Sequence, residues 1–187
     1  KGKEVDTEVR EALVERMKEG CELTDSQEKI FRDLEELFGG EEDRGWKHLK
    51  SPYEKVKMEI KYQQQVEGQK SLALGRGECK ADCTAEEAAA WFFEYCSRER
   101  TRIDKEEGHP ARFEIRSKDN KTNEKHFAFI KKMPGLLYNR EFAIKFLWRN
   151  EGHDSIIVAG QSVKDINPDY GGNMGNLVRA TSKLLLT

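Results

Sequence analysis

The sequence predicts an α+β domain built around an antiparallel sheet, on three observations. Residues 111–187 read as five strands in succession: 111–116, 124–132, 140–148, 154–160 and 177–186. The third alternates strictly, with Phe142, Ile144, Phe146 and Trp148 on one side and Glu141, Lys145 and Arg149 on the other, the period of a half-buried strand. A helix with its own start signal precedes them: Thr84-Ala-Glu-Glu87 is a capping box, followed by Ala88, Trp91, Phe92, Tyr95 and Cys96 at helical spacing.

Two amphipathic helices open the chain. Thr7 can cap the first, whose Val9, Leu13 and Met17 form one stripe and which Gly20 ends. Thr24 and Gln27 make a capping box for the second, which carries Ile30, Phe31, Leu34, Leu37 and Phe38 and stops at Gly39-Gly40. Each stripe needs a cover, supplied by the other helix, by the main domain, or by a partner to which the hairpin docks as an arm. The polar stretch 41–45 is the expected joint, dividing an N-terminal helical extension, 1–45, from a domain spanning 46–187. After Trp46, residues 56–62 alternate as a strand, 63–69 turn, and 71–81 form a second strand. The capped helix follows, then an irregular segment ending at His109-Pro110, then the five strands.

At 187 residues the chain is long enough to bury roughly 70% of the surface its unfolded form exposes. Charged residues make up 36% of it, yet the net charge is -2, which argues against nucleic acid as a partner. No run of about 18 apolar residues occurs and no leader is evident, so the chain reads as cytoplasmic, although it begins at Lys1 and a targeting segment could precede it. Cys21, Cys79, Cys83 and Cys96 lack Cys-x-x-Cys spacing and read as free thiols of a reducing compartment. His48, His109, His126 and His153 show no ligand-like spacing to them, so no metal site is expected.

Other motifs are weak. Gly75-Arg-Gly77 is half of a dinucleotide fingerprint but opens no helix, and glycines within a strand instead permit close approach of another backbone or helix. Gly171-Gly-Asn-Met-Gly175 is a loop between strands or a gate beside a pocket, and no Lys-Ser/Thr follows to make it a phosphate loop. There is no Gly-x-Ser-x-Gly elbow, and the acids Glu86-Glu87 and Glu106-Glu107 read as solvated charge, so no catalytic residue is assigned. The stripe of Phe142, Phe146 and Trp148, with Phe113 and either Phe127 or His126 opposite, leaves two outcomes open. It is a dry core, or it walls a cavity between a curved sheet and a helix.

The order of elements resembles a known family. Trp46 stands before the first strand, Ala85-Glu-Glu-Ala-Ala-Ala-Trp91 lies on the helix, Asn139-Arg-Glu-Phe142 opens the long strand and Val178-Arg-Ala180 opens the last. Together these resemble the START domain, the lipid-transfer module related to the steroidogenic acute regulatory protein, in particular START-like domains of algal and oomycete proteins. The resemblance covers roughly residues 46–187 and rests on joint order and spacing. It implies a helix-grip fold, a bent antiparallel sheet around a long carboxy-terminal helix with a tunnel for a sterol, phospholipid or ceramide. Since the sequence stops at Thr187, it implies here a helix-grip sheet lacking the final strand and the C-terminal helix, with its cavity open unless the N-terminal helices cover it.

The function so implied is non-catalytic binding, transfer or sensing of a lipid or sterol in an apolar tunnel, with no cofactor and no metal. The partners are that ligand and, transiently, a membrane surface, with no nucleic acid and no particular protein indicated. Candidate lining residues are Phe113, Ile115, Phe142, Ile144, Phe146, Trp148, Val178 and Ala180. The polar anchor is Arg140, with Arg179 second, because a guanidinium can fork to a hydroxyl, phosphate or carboxylate. Two alternatives stand beside this. One is a filled core that presents its surface to a protein partner. The other is a polyketide cyclase-like enzyme of the same superfamily, which needs acid or base groups on an inner face that reads as apolar.

Overall fold

Helix starts follow the capping chemistry of the chain. In the computed structural model, which describes residues 2–38, 45–62, 73–116, 123–152 and 154–187, Thr84 and Glu87 close the expected capping box at the start of α3 (Ala85–Phe93). The Thr24 N–H donates to Gln27 Oε1 at 3.0 Å as α2 (Asp25–Phe38) begins. The first helix, α1 (Gly2–Glu19), starts ahead of the predicted Thr7 cap, since nothing before Thr7 breaks a helix. One helix was not expected at all: α4 (Arg98–Glu106), capped by Ser97 through the Arg100 N–H. Its sequence lacks an apolar stripe because the residue it buries is Asp104. The helix stop at Gly39-Gly40, most of the 41–45 joint, the 63–69 turn and His153 lie outside the described residues.

The chain forms two compact units, 39–83 and the combination of 1–38 with 84–187. The N-terminal helices therefore belong with the larger sheet, which differs from the expected division at residue 45. The smaller unit holds β1 (Lys47–Leu49), β2 (Val56–Tyr62) and β3 (Ala73–Cys79) in an antiparallel meander. Arg76 on β3 pairs with Glu59 across the register and lies 4.6 Å over the Trp46 ring. Gly75 and Gly77 are inside β3, and a Cβ at either would meet its nearest neighbour only at 4.0 Å. Among the described residues, the close approach expected of them is not there.

The larger unit carries β4 (Ala111–Ile115), β5 (Glu124–Lys131), β6 (Asn139–Gly152), β7 (Ser155–Ser162), β8 (Leu177–Arg179) and β9 (Lys183–Leu186). Their order is β4-β5-β6-β7-β9, antiparallel throughout, with β8 parallel to the start of β6. The strand predicted over 177–186 is thus two strands with different neighbours. The break comes where the Ala180 N–H donates to the Glu141 carbonyl at 2.8 Å and Ser162 Oγ captures the Ser182 N–H at 2.7 Å, steering the chain from β6 to β7.

Both faces of the sheet are covered. On the inner face, Phe127, Phe129, Ile144, Phe146, Trp148, Ile156 and Val158 form one core with Leu13 and Met17 of α1 and Ala89, Ala90 and Phe93 of α3. On the outer face, Leu147, Ile157 and Ala159 pack on Phe31 and Leu34 of α2. Helix α2 is tied down by Arg149, which contacts Glu28, Glu35 and Glu151 and lies 4.5 Å over the Phe31 ring. The inner face, which the resemblance assigns to a long carboxy-terminal helix, is occupied here by α1 and α3, so the expected open grip is closed by the chain's own helices. Among the described residues no helix follows β9.

Gly160 on β7 marks how tightly this core is set. A Cβ there would stand 2.7 Å from Phe146 Cε1 and 3.5 Å from Leu184 Cβ. Phe146 is walled in by other rings and cannot swing aside, so Gly160→Ala is expected to cost about 1–3 kcal/mol by overpacking. Urea denaturation of the variant measures this, and an unchanged midpoint would mean that the Phe146 ring is free to move.

Candidate ligand face

Strand register decides which side chains share the inner face. Across β4, β5 and β6, Arg112 stands opposite Phe129 and Phe129 opposite Phe142, while Phe127 stands opposite Ile144. The predicted row of Phe142, Ile144, Phe146 and Trp148 does lie on one face, joined by Phe127 and not by His126. Phe113 and Ile115 do not join it. Their register partners are Ala128 and His126, so they belong to the outer face, where Phe113 meets the Tyr170 ring edge-on at 5.4 Å. Arg179 is paired with Glu141 at 2.9 Å and donates to the Ile166 carbonyl, away from the row. Arg140 is half-buried beside Lys131 and the exposed Val178, at the end of β6 beyond Phe142, and Ala180 follows on the chain.

Along the face, chemistry changes from charged to aromatic to aliphatic. The aromatic middle converges on Tyr95, just past α3, whose ring centroid lies 5.0 Å from Phe146, 5.4 Å from Phe129 and 5.7 Å from Phe127. Phe92 stacks on Phe146 and Phe129 on Phe142, offset and edge contacts of the kind aromatic pairs prefer. Toward the far end come Trp148, Val158 and Ile156 with Leu13 and Met17.

The charged end was not predicted. Arg112 and Asp104 are 5% and 8% exposed and form a two-pronged ion pair, while Arg112 also donates to the Tyr95 carbonyl at 3.0 Å and lies 4.2 Å over the Tyr95 ring. In the alternation of β4, Phe113 and Ile115 look like the core-facing residues, which assigns Arg112 to solvent. The burial of Asp104 on α4 reverses that, since a buried charge must be paired. Lys131 adds contacts to Asp104, Glu107 and His109. Asp104, Glu107 and His109 bring ligand atoms within 4.8 Å of one another, but cations already engage them, Arg112 at Asp104 and Lys131 at all three. On the same core, burial pushes the Cys96 thiol up to about 12, well away from the reactive thiolate, and all four cysteines are free.

An antiparallel sheet with helices on its inner face invites comparison with solved folds. A STAR-related lipid transfer protein fragment from Xanthomonas axonopodis aligns over 75% of this chain and 71% of its own, with a TM-score of 0.54 and 22% identity. The chain has the START fold. Human STARD10 aligns over 86% of this chain with a TM-score of 0.50 and 20% identity, and the chain spans 58% of that structure. The lipid transfer and protein localization domain of human StarD13 aligns over 88% of this chain and 79% of its own, at 0.51 and 15% identity. No family model matches the sequence, and no curated protein matches it. Within this START fold no described helix is long and apolar enough to cross a membrane.

The ion pair gives the START fold here a pH signature. Burial alone would raise the Asp104 carboxyl, but the Arg112 guanidinium, helped by Lys131 and His109, outweighs it and holds the group below its ordinary value near 3.8. A depressed carboxyl contributes stability that is complete above the ordinary value and is lost as pH falls through the folded one. The protein should therefore lose stability on acidification below about pH 4. Asp104→Asn should cost about 3–5 kcal/mol at pH 7, because it strands Arg112, and should flatten the acid slope. Denaturant titrations across pH would show both. An Asp104→Asn variant as stable as the parent would remove the pair from the core.

Proposed function

We propose that this chain binds a lipid or sterol, without converting it, on the inner face of its six-stranded sheet. The observation that carries the reading is the START fold combined with an unbroken apolar row on that face: Phe142, Ile144, Phe146 and Trp148, spanning about 20 Å of strand. Two of the similar structures described above are lipid transfer proteins or domains by their descriptions. With its present covers in place the row is buried, so it would contact the ligand on displacement of a covering helix, with Arg140 and Val178 at its entrance. Catalysis is not part of the reading. The carboxylate on this face, Asp104, is engaged by Arg112 and so is poorly placed to move a proton.

Contact with a membrane surface is the second half of the proposal. Between β5 and β6 the loop projects Leu136, Leu137 and Tyr138 into solvent, Leu136 fully exposed, and Lys131, Lys132 and Arg140 flank it. Apolar tips rimmed by cations suit insertion among anionic headgroups.

Native mass spectrometry of the purified chain should find a co-purified lipid or, after delipidation, saturable uptake of a fluorescent sterol or phospholipid. A chain that carries and takes up neither would end the lipid reading. Leu136→Asp should weaken co-sedimentation with anionic vesicles by about tenfold or more, the worth of one buried leucine, and leave uptake of dispersed lipid unchanged. Equal sedimentation would remove this loop from membrane contact.

A further inference from the structure

The inner face carries a network of paired charges at one end and two unpaired neutral donors at the other. At the β4 end, Arg112, Lys131 and His109 meet Asp104 and Glu107. At the opposite end the Trp148 indole is fully buried and its Nε1–H meets no acceptor. Across the strand pair, the Asn123 side chain is 4% exposed and its Nδ2 is likewise without a hydrogen-bond partner.

These two groups sit in one cluster. The Trp148 backbone N–H donates to the Asn123 carbonyl at 3.2 Å, and the Cys21 thiol, from the link between α1 and α2, points at the Trp148 carbonyl at 3.9 Å. The orientation of Asn123 is set from outside. Gln27 accepts the Thr24 N–H with its oxygen, so its Nε2 turns to Asn123 Oδ1 at 3.5 Å and to Glu124 at 3.0 Å. That leaves Asn123 Nδ2 on the side away from Gln27. The Cys21 sulfur interacts with the Asn123 side chain but is only a weak acceptor.

A buried N–H without an acceptor forfeits its hydration, and folded proteins rarely leave one so. Two in one cluster call for an oxygen. Trp148, Asn123, Cys21 and Gln27 carry no positive charge, so a carboxylate or phosphate placed there would be buried uncompensated. Resting on the lipid-binding reading above, we propose that this end of the face receives a neutral oxygen of the ligand, a hydroxyl or an ester carbonyl, with Trp148 Nε1–H and Asn123 Nδ2–H as its donors. The ligand class this selects is a neutral hydroxylated or esterified lipid, held head-first at the Trp148 end, and not an acidic one.

Oleyl alcohol, oleate and 1-octadecene each have 18 carbons and one double bond, differ in the head group and, for the alkene, in where the double bond lies, and can be titrated against the full chain by displacement of a bound fluorescent dye. Oleyl alcohol should bind about tenfold more tightly than 1-octadecene, as two modest hydrogen bonds allow, and more tightly than oleate. Trp148→Phe, which keeps an aromatic side chain and removes the donor, should shrink that preference, although the smaller ring lowers the melting temperature. If the variant does not fold, the parent still reports, because its buried indole N–H resonance should move downfield with oleyl alcohol and not with 1-octadecene. Equal affinity for alcohol and alkene, with the resonance unmoved, would overturn the donor role and leave the lipid reading standing. Oleate as the tightest ligand would overturn it too, moving the head to the Arg112 end. Binding of none of the three by the parent would sink the lipid reading and the donor role together.

Discussion

The middle of the central strand β6 is covered on both faces, and much of the fold answers to that constraint. Phe146 and Trp148 project into the core beneath α1 and α3, while Leu147 projects the other way onto α2. Burying each such side chain contributes about 1.5–3 kcal/mol, so covering both faces is the main gain available to this sheet. The difficulty is Arg149, which shares the outer face with Leu147. It is accommodated because α2 brings Glu28 and Glu35 to it and lays Phe31 under its guanidinium. The amphipathic stripe of α2 and the charge on β6 are therefore two halves of one fit.

A related logic governs the edge of the sheet. Arg112 on β4 stays charged inside the core only because α4 presents Asp104 and the turn after α3 presents the Tyr95 carbonyl and ring. A buried ion pair adds little net stability over an apolar substitute, yet breaking it is costly. Its physical consequence is therefore registration. The pair fixes β4, α4 and the end of α3 against one another, and with them the Tyr95 ring on which the aromatic cluster converges.

How much of this was legible in the sequence depended on whether a residue's role was local. The capping box at Thr84, the long alternating strand and the α+β class are short-range signals, and they appear as read. The Phe142 to Trp148 row is likewise a matter of period two within one strand. What failed was pairing information. Phe113 and Ile115 have the right alternation but the opposite face, because the register of β4 is set by Arg112 and its distant partner Asp104. Helix α4 has no apolar stripe to announce it, and the division of 177–186 into two strands depends on a hydroxyl 20 residues away at Ser162. The anchor assigned to Arg179 was lost for the same reason, since Glu141 claims that guanidinium on the other face.

The two covers of the inner face are not held equally. Helix α3 buries Ala89, Ala90 and Phe93, is fixed at its start by a reciprocal cap, and stacks Phe92 on Phe146. Among the described residues of helix α1, Leu13 and Met17 are buried and Val14 is partly covered, and the Met17 carbonyl accepts from Asn150 Nδ2 at 2.7 Å. Two apolar side chains and one hydrogen bond amount to about 4–7 kcal/mol before the helix's regained freedom is counted against them. Displacing α3 would also unstack the rings and disturb the turn that carries Tyr95 and, through it, Arg112. A ligand that must share this face therefore costs the fold least by taking the place of α1. That helix lies over the Trp148 end, so the weaker cover and the unmatched donors coincide.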